Sequence, residues 1–344
     1  MNFDFTDDQQ AIKRTARDFL ADRYRSDKVR ALAEEGVYDD ALWTEMAELG
    51  WAGIFLDEAY GGQDLGVVEL VILMEELGYA LAPSPFLSNA AAGLVLRHAG
   101  TDEQRERWLP GIASGEVRGA VGMARGGHAR LVADADSAGV IVLLDTEGEG
   151  GTVLEAAEAT VAPVDTVDST RRFASVRVSG AGEPLGGDAT PALDRIETAL
   201  AAELTGVAQR SMEMAVDYAK ERQQFDRPIG ANQAVSHRCA QMLLEVEGAR
   251  STTYYAGWAA DHEPESLSLA ASMAKAYAAD AGYRVSASSL QVHGGIAFTW
   301  EHDLHFFLKR ARTDGALFGT ARAHRDRVAE LAGLSALAGS PAAA

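Results

Sequence analysis

RQQFDRPIGANQAVSHRCAQM, residues 222–242, is the stretch that decides how the chain is read. It follows a long helical pattern, GVAQRSMEMAVDYAKE (206–221), passes Pro228 and Gly230, and then resumes helical spacing. Arg222, Gln224, Phe225 and Gln233 therefore sit where one helix stops and another begins. A second stretch, QVHGGIAFT (291–299), carries Gln291, Gly294 and Gly295 where a further helix stops. Helix ends expose unpaired backbone donors and acceptors, so they are natural places to hold an anionic cofactor.

Chemically, a helix that ends in Arg222 and then Gln224 can present a fork of donors to a pyrophosphate, with Phe225 as an aromatic face for an adenine or flavin. The same residues also describe a solvated helix end with Phe225 turned into the core. Gln233 can donate to an anion or cap its helix. Gly294 or Gly295 can take the left-handed conformation that stops a helix, and a residue without Cβ lets a ligand approach the backbone. His302 and His305 lie three apart beside Glu301, a spacing able to put ligands on one helix face, but no second Glu-x-x-His segment accompanies them. They read as surface positions, and no metal is expected. Gly148 to Gly151 lacks the spacing of a dinucleotide fold, and no GxSxG elbow, paired CxxC or Walker loop occurs.

The rest of the chain sets the frame. Its 344 residues can bury a large core in two or three domains, and 47% hydrophobic content excludes a disordered chain. A formal charge of −20 argues against nucleic acid and anionic membranes as partners. No apolar run reaches the ~18 residues a membrane span needs. MNFDFTDDQQ lacks the basic-then-apolar order of a signal peptide. The single cysteine, Cys239, excludes an internal disulfide, fits a reducing cytosol and reads as a small buried hydrophobe.

Residues 1–124 read as helices, with a capping box at Thr6 and Gln9 and capping residues at Thr101 and Asp102. Residues 125–188 are β-branched, broken by glycine, and read as short strands of a small sandwich or barrel. From 189 to 333 helical patterns return near 192–222, 231–261, 266–290 and 300–331, the last interrupted at Gly315, which predicts an antiparallel four-helix bundle. Residues 334–344 read as a flexible tail.

Order and spacing together carry a resemblance. EAYGGQDLG (58–66) followed by MEELGYALA (74–82), EQRERWLPGIASGE (103–116), RQQFDRPIGANQAVSHRCAQM and QVHGGIAF resemble, in that order, motifs of the acyl-CoA dehydrogenase family. These are flavoenzymes that oxidise acyl-CoA thioesters to enoyl-CoA. The resemblance covers nearly the whole chain. It implies a mainly α fold with a small β domain: an α-helical N-terminal domain, a short β-sandwich or barrel, and a C-terminal four-helix bundle. It implies FAD as cofactor, held largely by a neighbouring subunit. By the same resemblance Arg222, Gln224 and Phe225 would meet its pyrophosphate and flavin edge, Gln291, Gly294 and Gly295 its adenosine and pyrophosphate side, and Gln233 would line the same interface.

The departures bear on chemistry. Asp226 stands where the family has glycine, and Ala297 replaces the last glycine of its GGxGF. The reaction needs a carboxylate to take the α-proton of the thioester. The family's Tyr-Glu-Gly-Thr base segment matches Leu317-Phe318-Gly319-Thr320, so Phe318 occupies the base position, and the alternative base position on the first bundle helix falls on Ile196. Glu197 is one residue further, about 100° around a helix, and Asp314 one turn before Phe318; both are poor stand-ins. The flavin-ring segments of the β domain have no counterpart in VGMARGGHARL (121–131). A chain built this way resembles the smaller, base-lacking subunit of actinobacterial α2β2 acyl-CoA dehydrogenases, which act on bulky CoA thioesters including steroid side chains. The expected partners are an acyl-CoA substrate and a full-length dehydrogenase subunit. The alternatives are a self-sufficient homo-oligomer with Glu197 or Asp314 as displaced base, and a non-catalytic structural or regulatory paralogue.

Overall fold

The computed structural model describes residues 5–146 and 150–334, so Gly148 and the tail beyond 334 lie outside the described residues. The N-terminal part comprises α1 (Asp7–Arg23), α2 (Ser26–Glu35), α3 (Asp40–Glu48), α4 (Val67–Ala80), α5 (Phe86–Ala99) and α6 (Asp102–Ser114). Local chemistry sets their ends. Thr6 with Gln9, and Thr101 with Gln104, form reciprocal capping boxes on α1 and α6. Gly36 and Gly115, both at positive φ, close α2 and α6.

Seven strands follow: β1 (Gly119–Ala124), β2 (His128–Ala133), β3 (Val140–Asp145), β4 (Gly151–Glu155), β5 (Ala159–Pro163), β6 (Phe173–Val178) and β7 (Glu183–Pro184). They form a four-stranded sheet in the order β1-β3-β4-β7 and a three-stranded sheet in the order β2-β6-β5. A shared apolar cluster that includes Val132, Ile141, Leu143, Leu154 and Val176 unites the two sheets as a sandwich. The first strand begins at Gly119, ahead of the expected boundary at 125, because Ala120 and Val121 are already drawn into the buried face beside α5. β4 and β5 are separated by a turn over Ala156–Glu158.

The C-terminal part is built on α7 (Thr190–Glu221), α8 (Gln233–His262), α9 (Leu267–His293), α10 (Leu304–Asp314) and α11 (Ala321–Leu331). The helical stretch expected over 300–331 is interrupted at Gly315 as the sequence suggested, giving two helices, and residues 300–303 precede the first of them. The result is the mainly α fold with a small β-sandwich that the sequence led us to expect. Helix α7 is the spine; from Ile196 to Ala208 every residue is buried. It lies backbone to backbone on α4: a Cβ on Gly206 would fall 1.9 Å from Glu75 O, and one on Gly78 would fall 2.1 Å from Glu203 O. Only glycine permits that approach.

Candidate functional site

One end of the bundle gathers the residues singled out by sequence. Helices α7, α8 and α9 alternate in direction, so α7 and α9 end together; the rings of Tyr218 and His293 stack there at 4.4 Å. Arg222 caps α7, its N–H donating to Tyr218 O at 2.8 Å. A two-residue hairpin follows, β8 (Gln223–Gln224) pairing with β9 (Arg227–Pro228). Its tip residues, Phe225 and Asp226, both have positive φ, 55° and 62°. Such a tip favours Asn, Asp or Gly. Asp226 adopts it at modest cost in place of the expected glycine, whereas Phe225 is strained.

Phe225 is 91% exposed. The reading that packs it into the core is therefore wrong, because the hairpin projects its tip away from the bundle. Gly294 takes φ 67° at the end of α9, and a Cβ on Gly294 or Gly295 would meet nothing within 4 Å. Arg222, Gln224, Gln233 and Gln291 are exposed, and among the described residues their side chains make no hydrogen bond. One guanidinium, three amides, a projecting aromatic ring and two open glycines thus share one end of the fold, without partners inside the described chain. That donor set suits a nucleotide pyrophosphate with its attached rings.

A second feature is a cavity of about 780 Å³ between α5, the β-sandwich and the α10–α11 connection. Its walls are largely apolar, including Leu87, Ala91, Val121, Met123, Phe173 and Leu317, with Arg125 contributed by the turn after β1 and His128 and Arg130 by β2. Phe318 lines it too. The connection is firmly built: Lys275, fully buried, donates to Gly315 O at 3.3 Å and Gly319 O at 3.1 Å, and His324 Nε2 lies 3.2 Å from Phe318 O. Phe318 and Gly319 both have positive φ, 53° and 116°. The loop therefore holds a phenyl ring, which accepts no proton, at the position matched to the family base.

Neither fallback carboxylate lines that cavity. Glu197 is buried with Arg327 Nη1 3.1 Å from its Oε2, and burial pushes its carboxyl up to about 8. Asp314 is wholly buried behind the cavity wall, with Arg171 Nε 3.3 Å from Oδ1 but out of line for a hydrogen bond. Burial raises its pKa as well. A base must reach the proton it takes, and neither carboxylate opens onto this cavity. Ile196 is fully buried and does not line the cavity either.

Asp314 belongs to a buried ionic cluster that the sequence reading missed. Arg171 donates to Glu203 at 2.7 Å, Arg310 Nε to Asp168 at 2.8 Å, and Arg310 Nη1 to Glu203 at 2.5 Å. Two guanidiniums face three carboxylates, so one carboxyl is held poorly ionised. The signal was present in the four-residue spacing of Phe306, Arg310 and Asp314, which puts both charges on the apolar stripe of α10. His302 and His305 do not share a helix. His302 precedes α10, stacks edge-on against His293 at 4.6 Å, and accepts from Leu304 N–H at 3.2 Å. Cys239 is half-buried rather than fully so. Among the described residues no helix is long and apolar enough to cross a membrane.

Comparison with known proteins gives the fold its family. Residues 6–116 match the acyl-CoA dehydrogenase N-terminal domain, and residues 189–332 match the acyl-CoA dehydrogenase C-terminal domain. The chain belongs to the acyl-CoA dehydrogenase family. It is 32% identical to the acyl-CoA dehydrogenase IpdE2 of Mycolicibacterium smegmatis over 92% of this chain and 96% of the relative. Identity to IpdE2 of Mycobacterium tuberculosis is 33%, over 92% and 94%. Among solved structures, a variant of the Tcur3481-Tcur3483 steroid ACAD superposes with a TM-score of 0.86 at 28% identity, covering 96% of this chain and 99% of that one. The ChsE4-ChsE5 complex from Mycobacterium tuberculosis gives 0.88 at 25%, covering 99% and 100%. The acyl-CoA dehydrogenase family consists of FAD flavoproteins that oxidise acyl-CoA thioesters.

Proposed function

We propose that this chain is a subunit of an FAD-dependent acyl-CoA dehydrogenase and completes the FAD site of a catalytic partner subunit. The observation that carries the reading is the contrast between its two sites. Donors and glycines at the end of α7 and α9 stand exposed and unpaired, while the base position holds Phe318. The donors have no partner among the described residues, and the position matched to the base carries no proton acceptor. The open glycines and the free amide and guanidinium groups fit a dinucleotide. Arg222, Gln224 and Phe225 would hold the pyrophosphate and flavin edge of FAD; Gln291, Gly294 and Gly295 would hold its adenosine side; Gln233 would line the same face.

When bound, FAD supplies the hydride acceptor for α,β-dehydrogenation of the thioester. This chain's contribution is binding and orientation, and the partner's carboxylate takes the α-proton. The partner is a full-length acyl-CoA dehydrogenase subunit, in an α2β2 assembly in the cytoplasm. The likeness to a steroid ACAD and to a two-component complex supports both the pairing and a bulky CoA thioester as substrate.

The test is turnover of the chain by itself. Loss of a general base costs roughly 10²- to 10⁴-fold in rate. Purified alone and supplied with FAD, the chain is expected to show little acyl-CoA oxidation with an artificial electron acceptor. Turnover within tenfold of an ordinary family member would overturn the reading in favour of a self-sufficient enzyme.

A further inference from the structure

We infer that Arg30, on α2 of the N-terminal domain, is a positioning residue for the glycine segment that ends α9. The inference rests on the cofactor reading above. The segment from Gly294 to Asp303 has little core of its own: Ile296, Phe298 and Trp300 are 46%, 76% and 53% exposed. What fixes its far end is α2. The Arg30 guanidinium donates to Trp300 O, donates to Glu301 O at 3.1 Å, and pairs with Asp303. Glu34, one turn on, accepts the Trp300 indole N–H at 2.8 Å. Trp300 also stacks on His305 at 4.8 Å.

The near end is fixed by α9 itself, through His293 stacked on Tyr218. Between these anchors the open Gly294 and Gly295 are presented outward. Arg30 touches no residue of the cofactor set; it acts through the backbone at Trp300 and Glu301. A planar fork able to serve two carbonyls and a carboxylate at once is a guanidinium property that lysine lacks. Pre-ordering matters because a ligand that binds one conformation of a segment loses apparent affinity in proportion to the fraction of time that conformation is absent.

The experiment uses the assembly purified from its source through a tag on this chain, with FAD as the probe. Arg30→Ala should weaken FAD binding about tenfold, as expected if the presenting conformation falls to about a tenth of the population. Exchange of the amides at 295–301 should speed up, the visible spectrum of the FAD still bound should stay unshifted, and the melting temperature should change little. Arg30→Lys should recover part of the affinity. Trp300→Phe, which removes the bond to Glu34 and keeps the ring, is a milder variant that remains informative if Arg30→Ala fails to fold; it should weaken FAD binding in the same direction.

Arg222→Ala separates the two levels of the inference. If Arg222→Ala weakens FAD binding while Arg30→Ala and Trp300→Phe leave it within twofold, the positioning role is overturned and the cofactor reading stands. If Arg222→Ala also leaves it unchanged, the cofactor reading itself has failed. A loss of FAD that tracks melting temperature, with no partial rescue by lysine, would reduce Arg30 to a structural residue and overturn the inference.

Discussion

Arg222→Ala separates a cofactor clamp from a solvated helix end, because the structure makes the two outcomes differ in kind. The guanidinium is exposed and bonded to nothing among the described residues, so the folded chain loses no contact when it is removed. Stability should therefore change by less than about 0.5 kcal/mol, the usual range for a surface substitution. Against a bound pyrophosphate the same group would supply a charge-assisted hydrogen bond of roughly 1.5–3 kcal/mol, or about tenfold to 150-fold in affinity. The expected signature is a large loss of FAD with an unmoved melting curve. Lysine should restore only part of the affinity, since it places a charge without the planar fork. The assay is the FAD to protein ratio of the assembly after gel filtration, with the dissociation constant from flavin fluorescence. An unchanged ratio and an unchanged constant would refute the cofactor role of this helix end.

Other variants test other links. Glu197→Gln probes the buried carboxyl. Its folded value near 8 lies above its ordinary 4.5, so the stability tied to holding its proton is complete below pH 4.5 and is lost as pH rises toward 8. The mutant should therefore gain on the wild type between pH 5 and pH 8, by at most about 5 kcal/mol for the full shift; denaturant melts showing the opposite trend would contradict the burial assigned to it. Gly206→Ala forces a methyl group against Glu75 O and should destabilise the fold by about 3 kcal/mol. A wild-type melting temperature would mean that α4 and α7 are not in backbone contact. Phe225→Gly relieves a positive φ, so the melting temperature of the separate chain should not fall, whereas assembly with a partner should weaken, as read by sedimentation. A stable complex with unaltered affinity would exclude the hairpin tip from the interface.

Much of this was legible in the sequence because helix periodicity and capping are local signals. Thr6 with Gln9 and Thr101 with Asp102 marked true helix starts, and Gly294 marked a true stop. The strand region was legible from its β-branched residues, but the early start at Gly119 was not, since GAVGMA carries small residues whose burial depends on α5 and the facing sheet. Phe225 was ambiguous for a similar reason: an aromatic residue after a helix is compatible with core or surface, and only the hairpin decides. Contacts remote in sequence were hidden altogether. Arg30 with Trp300 and Arg171 with Glu203 are brought together by tertiary packing, and no spacing rule announces them. The empty base position was legible only through the resemblance; the structure adds that the loop bearing Phe318 is held by Lys275 and His324 rather than loose.

The most direct measurement of the central claim is the composition of the assembly isolated through a tag on this chain. Mass, subunit identity, FAD content and acyl-CoA turnover can be read on one preparation. If the chain completes a partner's cofactor site, the preparation contains a second acyl-CoA dehydrogenase subunit that carries a carboxylate at the base position, FAD is retained, turnover is present, and separation of the two chains abolishes it. A homo-oligomer of this chain alone that retains FAD and oxidises acyl-CoA at an ordinary rate would contradict the claim, and so would a two-subunit complex that contains no flavin.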